Sequence, residues 1–277
     1  MNQLLKIRTL APNVKEYVID APDIARHAKP GQFIILRVDE EGERVPFTIC
    51  DSDKEKGTIT LLVQTIGYST ELMATLPVGG YIHDIVGPLG NATDMSKYKK
   101  VLLIGGGIGS AVIFPQAKYR MSIGMPCDAI VGAKTKDLIM YEEEFKANTD
   151  NFYIVTDDGS YGDKGFVTTK LEQLIAEGKE YDCVFAVGPL IMMKVVCDVT
   201  RKYNIHTIVS MNTIMVDGTG MCGGCRLTYN GETKYACVDG PEFDGHLVDF
   251  DEAMTRGRFY REQEQKHVCR LRGVTKE

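Results

Sequence analysis

The apolar run Val101-Leu-Leu-Ile104 ends directly in Gly105-Gly106-Gly107-Ile108-Gly109 and passes without a break into Ser110-Ala-Val-Ile-Phe-Pro-Gln-Ala-Lys118. A buried strand that turns through glycines into a helix constrains the chain more than any other segment. Further strand candidates follow at Asp128-Ala-Ile-Val131, Phe152-Tyr-Ile-Val155, Cys183-Val-Phe-Ala-Val187 and His206-Thr-Ile-Val209, with helical patterns at 137–147, 168–177 and 190–203. Strands alternating with helices predict a parallel α/β sheet over residues 96–210. The glycine turn suits a nucleotide diphosphate, because backbone N–H groups and the positive helix end point at phosphate while side chains would block its approach. Ser110 stands where the full dinucleotide fingerprint has a third glycine, so a plain tight turn is the alternative reading.

Other turns fall on the same side of the expected sheet. Gly188-Pro189 closes the fourth strand, and Thr156-Asp157-Asp158-Gly159-Ser160 closes another. Ligands of open α/β sheets bind outside the carboxyl ends of the strands, so Gly188, Pro189 and Thr156 join Gly105, Gly106, Gly107 and Gly109 as nucleotide candidates. An ordinary strand–helix connection and a polar turn are their alternatives.

Residues 1–95 have a different character. Phe33-Ile-Ile-Leu-Arg-Val38, Pro46-Phe-Thr-Ile-Cys50 and Gly57-Thr-Ile-Thr-Leu-Leu-Val63 are short runs punctuated by Pro30-Gly31, Glu41-Gly42 and Gly79-Gly80. That spacing predicts an all-β sandwich or barrel. Gly87-Pro-Leu-Gly90 and the polar stretch 91–100 read as the linker. In Arg44-Val-Pro-Phe-Thr48 an Arg and a hydroxyl share one strand face, able to clamp a diphosphate and to hydrogen-bond an isoalloxazine edge. Gly67-Tyr-Ser-Thr70 offers a glycine and hydroxyls at an expected helix start, again suited to phosphate. Taken singly, a surface ion pair and a helix cap are the alternatives.

The C-terminal region carries Asp217-Gly-Thr-Gly-Met-Cys222-Gly-Gly-Cys225 and then Cys237. Plant-type [2Fe–2S] ligation runs C-x4-C-x2-C with a distant fourth Cys, and the same rhythm holds here with Asp217 in the first place. Glycines 218, 220, 223 and 224 let the backbone wrap a cluster with amide N–H groups facing its sulfurs. The competing reading is a closed Cys3His zinc site completed by His246. Residues 211–250 are thus a cluster lobe, and 251–277 read as a charged helical tail.

At 277 residues, the chain has room for two domains and a small appendage. The eight cysteines divide into the array and scattered members in apolar runs, which reads as a reduced, cytoplasmic protein. A net charge of −6 with no basic block argues against nucleic acid. No apolar run reaches membrane-spanning length, and the first residues lack the pattern of a secretory signal.

The order R-x-x-[FYI]-[ST], G-x-S-T, GGGIG, Gly-Pro turn resembles the ferredoxin–NADP reductase-like flavoproteins. The runs Met215-Val-Asp-Gly-Thr-Gly-Met-Cys-Gly-Gly-Cys-Arg226 and Cys237-Val-Asp-Gly-Pro-Glu-Phe-Asp-Gly-His246 narrow the resemblance. They are similar to the small-subunit family of NADH-dependent ferredoxin–NADP oxidoreductase, also described as sulfide dehydrogenase. The related electron-transfer subunit of dihydroorotate dehydrogenase uses four cysteines, and Asp217 departs from that pattern.

The resemblance implies a β plus α/β fold: an N-terminal antiparallel FAD-binding β-barrel, a parallel-sheet NAD(H)-binding domain and a small [2Fe–2S] lobe. It implies Arg44 on the FAD diphosphate, Pro46, Phe47 and Thr48 along the isoalloxazine, and Gly67, Ser69 and Thr70 at phosphate. Asp217, Cys222, Cys225 and Cys237 become the cluster ligands. A larger partner subunit with a second FAD and [4Fe–4S] clusters is implied, binding NADPH and completing a heterodimer. The activity implied is electron bifurcation among NADH, NADPH and ferredoxin. Val187 stands where related reductases often place a Cys before the Gly-Pro turn, so no side chain is named as an acid or base for hydride transfer. The alternative in another class is a zinc-stapled nucleotide-binding regulator.

Overall fold

The computed structural model describes residues 2–271. Its first part comprises β1 (Leu4–Ala11), β2 (Val14–Asp20), α1 (Pro22–His27), β3 (Phe33–Arg37), β4 (Arg44–Thr48), β5 (Asp51–Asp53), β6 (Thr58–Gln64), α2 (Tyr68–Ala74) and β7 (Asp84–Leu89). They form two antiparallel sheets, in the orders β1-β2-β6-β5 and β4-β3-β7. The two-residue period of a strand sorts β3 cleanly. Ile34 and Leu36 turn inward onto Ile59 and Leu61, while Phe33 and Ile35 face outward into a second core shared with the rest of the chain.

The second part runs β8 (Val101–Gly106), α3 (Gly109–Ser122), β9 (Asp128–Ala133), α4 (Glu142–Lys146), β10 (Asn151–Thr156), β11 (Asp163–Lys164), α5 (Val167–Ala176), β12 (Cys183–Val187), α6 (Leu190–Lys202) and β13 (His206–Ser210). Then come β14 (Arg226–Tyr229), β15 (Glu232–Tyr235), α7 (Ala236–Asp239), β16 (Glu242–Asp244), α8 (Phe250–Arg256) and α9 (Arg261–Leu271). The large sheet has the order β11-β10-β9-β8-β12-β13-β16, parallel except for β16. Its central strands are buried throughout and apolar apart from Asp128 at the start of β9, as suits strands covered on both faces.

Four sequence expectations are revised. Gly87, Pro88 and Leu89 belong to β7 rather than to the linker, since Leu89 pairs with Phe33 and a proline is tolerated on an edge strand. The helix expected over 137–147 shrinks to a 3-10 turn at Lys136–Leu138 and α4. The tail is two helices, α8 and α9; residues 272–277 of the expected tail lie outside the described residues. The cluster lobe is not separate from the sheet, because β16 pairs antiparallel with β13 as its edge.

The linker is stapled to α3. The fully buried Arg120 guanidinium donates to the carbonyls of Met95, Tyr98 and Lys99, and Gln116 donates to that of Thr93. Among the described residues no helix is long and apolar enough to cross a membrane.

Candidate functional site

Strand β4 sets out the flavin-side candidates by parity. Arg44, Pro46 and Thr48 stand opposite Arg37, Ile35 and Phe33, so all six share the outward face of the β4-β3-β7 sheet. Val45 and Phe47 point the other way and pack on the barrel core. The structure therefore removes the Phe47 ring from the row formed by Arg44, Pro46 and Thr48. Arg37 is already engaged by Asp84 at 2.5 and 3.0 Å, whereas Arg44 is exposed at the end of the row.

The Gly67 turn lies beside the start of β4. Ser69 donates to Glu43 at 3.5 Å, which ties α2 to the residue before Arg44. Thr70 spends its hydroxyl locally, accepting from the amides of Ile66 and Gly67, each at 3.0 Å. The amide of Tyr68 donates to the Glu264 carboxylate of α9 at 2.7 Å. That carboxylate is a stand-in anion and shows that the turn presents an N–H to negative charge. His267, one turn further along α9, pairs with Glu43 at 3.2 Å and meets the Tyr68 ring edge-on. Sequence reasoning missed Glu264 and His267, because the contact spans 196 positions and leaves no local pattern.

On the nucleotide side the two glycine turns abut, since Val187 of β12 pairs with Gly105 of β8. A Cβ on Gly109 would strike the Val187 carbonyl, one on Gly106 the Met192 sulfur, and one on Gly105 would come within 2.9 Å of Ser110 Cα. A Cβ on Gly188 would lie 2.7 Å from Met192 Cε. Neighbouring backbone requires glycine at 105 and 109, whereas Gly106 and Gly188 face the flexible end of Met192. Gly107 differs: its φ is +56° and no protein atom lies within 4 Å of a Cβ there. Its positive φ favours glycine and the space beside it is open, which keeps it a nucleotide candidate. Pro189 is exposed at the start of α6. Thr156 is fully buried, donating to the Tyr161 carbonyl at 2.6 Å and accepting from its amide at 3.1 Å. Its hydroxyl closes the 157–160 loop and does not face the crevice.

The cluster candidates fall into two pairs. Cys225 and Cys237 are buried with sulfurs 3.2 Å apart, and the Cys237 amide donates to the Cys225 sulfur at 3.5 Å. Burial, and then the neighbouring Cys225 thiol, push Cys237 up to about 12, a bias that a bound cation reverses. Cys222 is exposed and accepts from the Gly224 amide at 3.4 Å. Asp217 accepts from the amides of Thr219 at 2.8 Å and Cys222 at 2.6 Å, and these bonds hold its carboxyl below the usual range.

Each carboxylate oxygen keeps a second lone pair, so this cap leaves Asp217 able to ligate. Two ligand pairs and amides aimed at sulfur suit a two-iron cluster. Among the described residues no three His, Cys, Asp or Glu side chains converge to hold one metal ion. His246 meets the Thr200 hydroxyl at 3.0 Å instead of the thiols, which removes the fourth ligand of the Cys3His zinc reading. The cluster loop also rests on the flavin-side sheet. A Cβ on Gly218, whose φ is +74°, would lie 2.7 Å from both Ile35 and Leu89.

An antiparallel barrel with an arginine-bearing strand, a parallel sheet with glycine turns and a cysteine lobe define a flavin- and nucleotide-dependent electron-transfer protein. The chain belongs to the family of dihydroorotate dehydrogenase B electron-transfer subunits and their homologues. The family pattern described as oxidoreductase FAD-binding domain matches residues 2–93. The one described as iron–sulfur cluster binding domain of dihydroorotate dehydrogenase B matches residues 212–249.

The chain is 44% identical over 265 residues to a Thermotoga maritima homologue of the dihydroorotate dehydrogenase B (NAD+) electron-transfer subunit, covering 96% of this chain and 93% of the relative. It is 30% identical over 247 residues to that electron-transfer subunit from Bacillus cereus, covering 85% and 93% respectively. Among solved structures it is similar to a chain of the NADH-dependent reduced ferredoxin–NADP oxidoreductase studied for flavin-based electron bifurcation. There the identity is 42%, 98% of each chain is covered, and the TM-score is 0.93.

Proposed function

We propose that this chain is the electron-transfer subunit of an NADH-dependent ferredoxin–NADP oxidoreductase, exchanging hydride with NAD(H) at FAD and passing electrons through a [2Fe–2S] cluster. The observation that carries the proposal is the shared sheet face: Arg44, Pro46 and Thr48 line one end of it, and the cluster loop rests on Ile35 and Leu89 beside them. A flavin on that row would lie beside the cluster loop.

FAD supplies a hydride acceptor that can release electrons singly to the cluster. The chain's own residues orient and exclude. Arg44 meets the diphosphate with a charge-assisted contact, and the Thr48 hydroxyl is placed for the ring edge. The open backbone at Gly107 admits the nucleotide diphosphate, and Asp217, Cys222, Cys225 and Cys237 hold the cluster. Hydride exchange between bound nicotinamide and flavin would need no side chain as acid or base, so the protein's part would be orientation and electrostatics.

The partner is a larger subunit carrying a second flavin and [4Fe–4S] clusters, with ferredoxin as the redox partner of the complex. The test is a visible spectrum of the purified chain, followed by mass spectrometry of what co-purifies from the native host. Flavin and ferric-sulfide bands with a flavin/[4Fe–4S] partner are expected. A colourless protein rejects the redox assignment, and co-purification with a dihydroorotate-oxidising subunit redirects it to that enzyme.

A further inference from the structure

Glu242 lies on β16 where the barrel, the linker and the cluster lobe meet. Both of its carboxylate oxygens are buried without a hydrogen-bond partner. Its Oε1 lies so close to Gly31, at φ +88°, that a Cβ there would stand 2.6 Å from it. The barrel backbone therefore approaches the carboxylate only because residue 31 has no side chain. Thr93 of the linker is the polar side chain acting on the group, and it offsets burial only in part.

The chain on either side of Glu242 is tied to both proposed redox seats. Pro241, its neighbour, abuts Gly90 beside Phe33, and Phe33 pairs with Thr48 on the flavin-side face. On the other side α7 carries Cys237, and Asn91 ties that segment to the linker through the carbonyls of Val238 and Gly240.

A cavity of about 420 Å³ opens beside β16, and both Thr93 and Glu242 line it. The charged groups around the cavity are engaged with other partners. Lys97 of the linker lies over the Tyr98 ring at 5.1 Å, and Lys234 of β15 pairs with Glu232 at 3.3 Å. His206 of β13 pairs with Asp244 at 3.6 Å, and Asp239 of α7 accepts from the Tyr235 amide. From α3 come the neutral Gln116 and Arg120, whose guanidinium is held by linker carbonyls. None of these hydrogen-bonds to the Glu242 carboxylate.

We propose that Glu242 is the proton-binding group linked to cluster reduction, exchanging its proton through the cavity that it and Thr93 line. This rests on the cofactor reading given above. Reduction of a cluster held at Cys237 would add negative charge to a lobe that already carries a carboxylate with both oxygens buried. One proton from water then binds a Glu242 oxygen, so the charge of the junction is unchanged. When the electron leaves for the partner subunit, the O–H bond breaks and the proton returns to the cavity.

The test is an EPR-monitored redox titration of the cluster in the full chain loaded with flavin and iron, from pH 6 to 8, for wild type and Glu242→Gln. Cluster thiolates bring no proton of their own, so the wild-type midpoint potential should fall with rising pH around pH 7, where burial places Glu242. Glu242→Gln should lose that slope, and Glu242→Asp should keep one with a displaced midpoint. Redox-difference infrared spectra should show a carboxylic-acid C=O band appearing on reduction in wild type and missing in Glu242→Gln. A pH-independent wild-type potential, or an equal slope in Glu242→Gln, overturns the inference. A chain that binds neither flavin nor iron overturns the cofactor reading, and this inference with it.

Discussion

Arg44 and Asp217 are the two side chains proposed to make a decisive cofactor contact. Arg44 is exposed at the end of the Pro46–Thr48 row, with its neighbour Glu43 tied to the α2 turn. Arg44→Ala should cost a charge-assisted contact, on the order of 1.5–3 kcal/mol and nearer the lower figure at so open a position. FAD affinity in a flavin titration should fall while the fold survives; an unchanged affinity removes Arg44 from the site. Asp217 is both a cap and a candidate ligand, so one substitution cannot separate the roles. Asp217→Cys should keep a cluster with a shifted potential, because thiolate donates more charge than carboxylate. Asp217→Asn keeps an acceptor for only one of the Thr219 and Cys222 amides, which bond to different carboxylate oxygens, and gives up the anionic ligand, so it should leave the cluster labile. A wild-type EPR signal and potential in Asp217→Asn would show that the carboxylate only caps the loop. Both residues were legible in the sequence because their spacing is local. The direction of the Phe47 ring and the use of the Thr156 hydroxyl were not, since both depend on which face of a strand the core claims.

Elements were legible where their period was strong and blurred where tertiary contacts took over. The strands of the parallel sheet and the helices α5 and α6 follow the sequence closely, because continuous apolar runs and a 3.6-residue stripe have few other solutions. The β8–α3 turn was found for one reason and is built for two. Gly105 and Gly109 are dictated by neighbouring backbone and Gly106 faces the flexible end of Met192, while Gly107 alone leaves open space. Gly107→Val should therefore slow NADH reduction of the flavin at least ~10-fold, about 1.4 kcal/mol, with dithionite reduction of both centres intact. The left-handed backbone adds a folding cost of about 1–2 kcal/mol, so thermal melting is run alongside. Stopped-flow traces unchanged by the substitution would place the nucleotide elsewhere. Helix α9 supplies the opposite lesson. It was set aside as a charged tail, yet it brings Glu264 to the Tyr68 amide. A diphosphate seeking that amide competes with the carboxylate, so Glu264→Ala should speed FAD association. A slower association would mean instead that α9 helps to hold the flavin.

At the scale of the whole molecule, the parts are joined by polar contacts that the sequence cannot reveal. Tyr141 beside α4 donates to the buried Glu16 of β2 at 2.8 Å, and Arg8 of β1 closes on the same carboxylate at 2.9 and 3.2 Å. These side chains were silent in the sequence because each falls in a run that reads as ordinary strand or loop. Glu242 was silent for the same reason, and it makes the junction sensitive to pH. Burial raises it from 4.5 to about 7. In the unfolded chain the carboxyl ionises near its ordinary value, while in the folded chain it holds its proton until pH about 7. Stability from this group is therefore fully present below pH about 4.5, declines as pH rises toward 7, and stays at the lower level above it. At 1.36 kcal/mol per pKa unit the decline is on the order of 3 kcal/mol. Glu242→Gln cannot ionise, so its stability relative to wild type should rise between pH 5 and pH 8 by an amount of that order. Gln also places an unpartnered amide at the site, so the difference between the two pH values carries the result rather than either value alone. Urea denaturation of both proteins at pH 5 and pH 8 measures it. An equal offset at the two pH values would mean that water or another donor reaches the carboxylate and that Glu242 ionises as an ordinary surface acid.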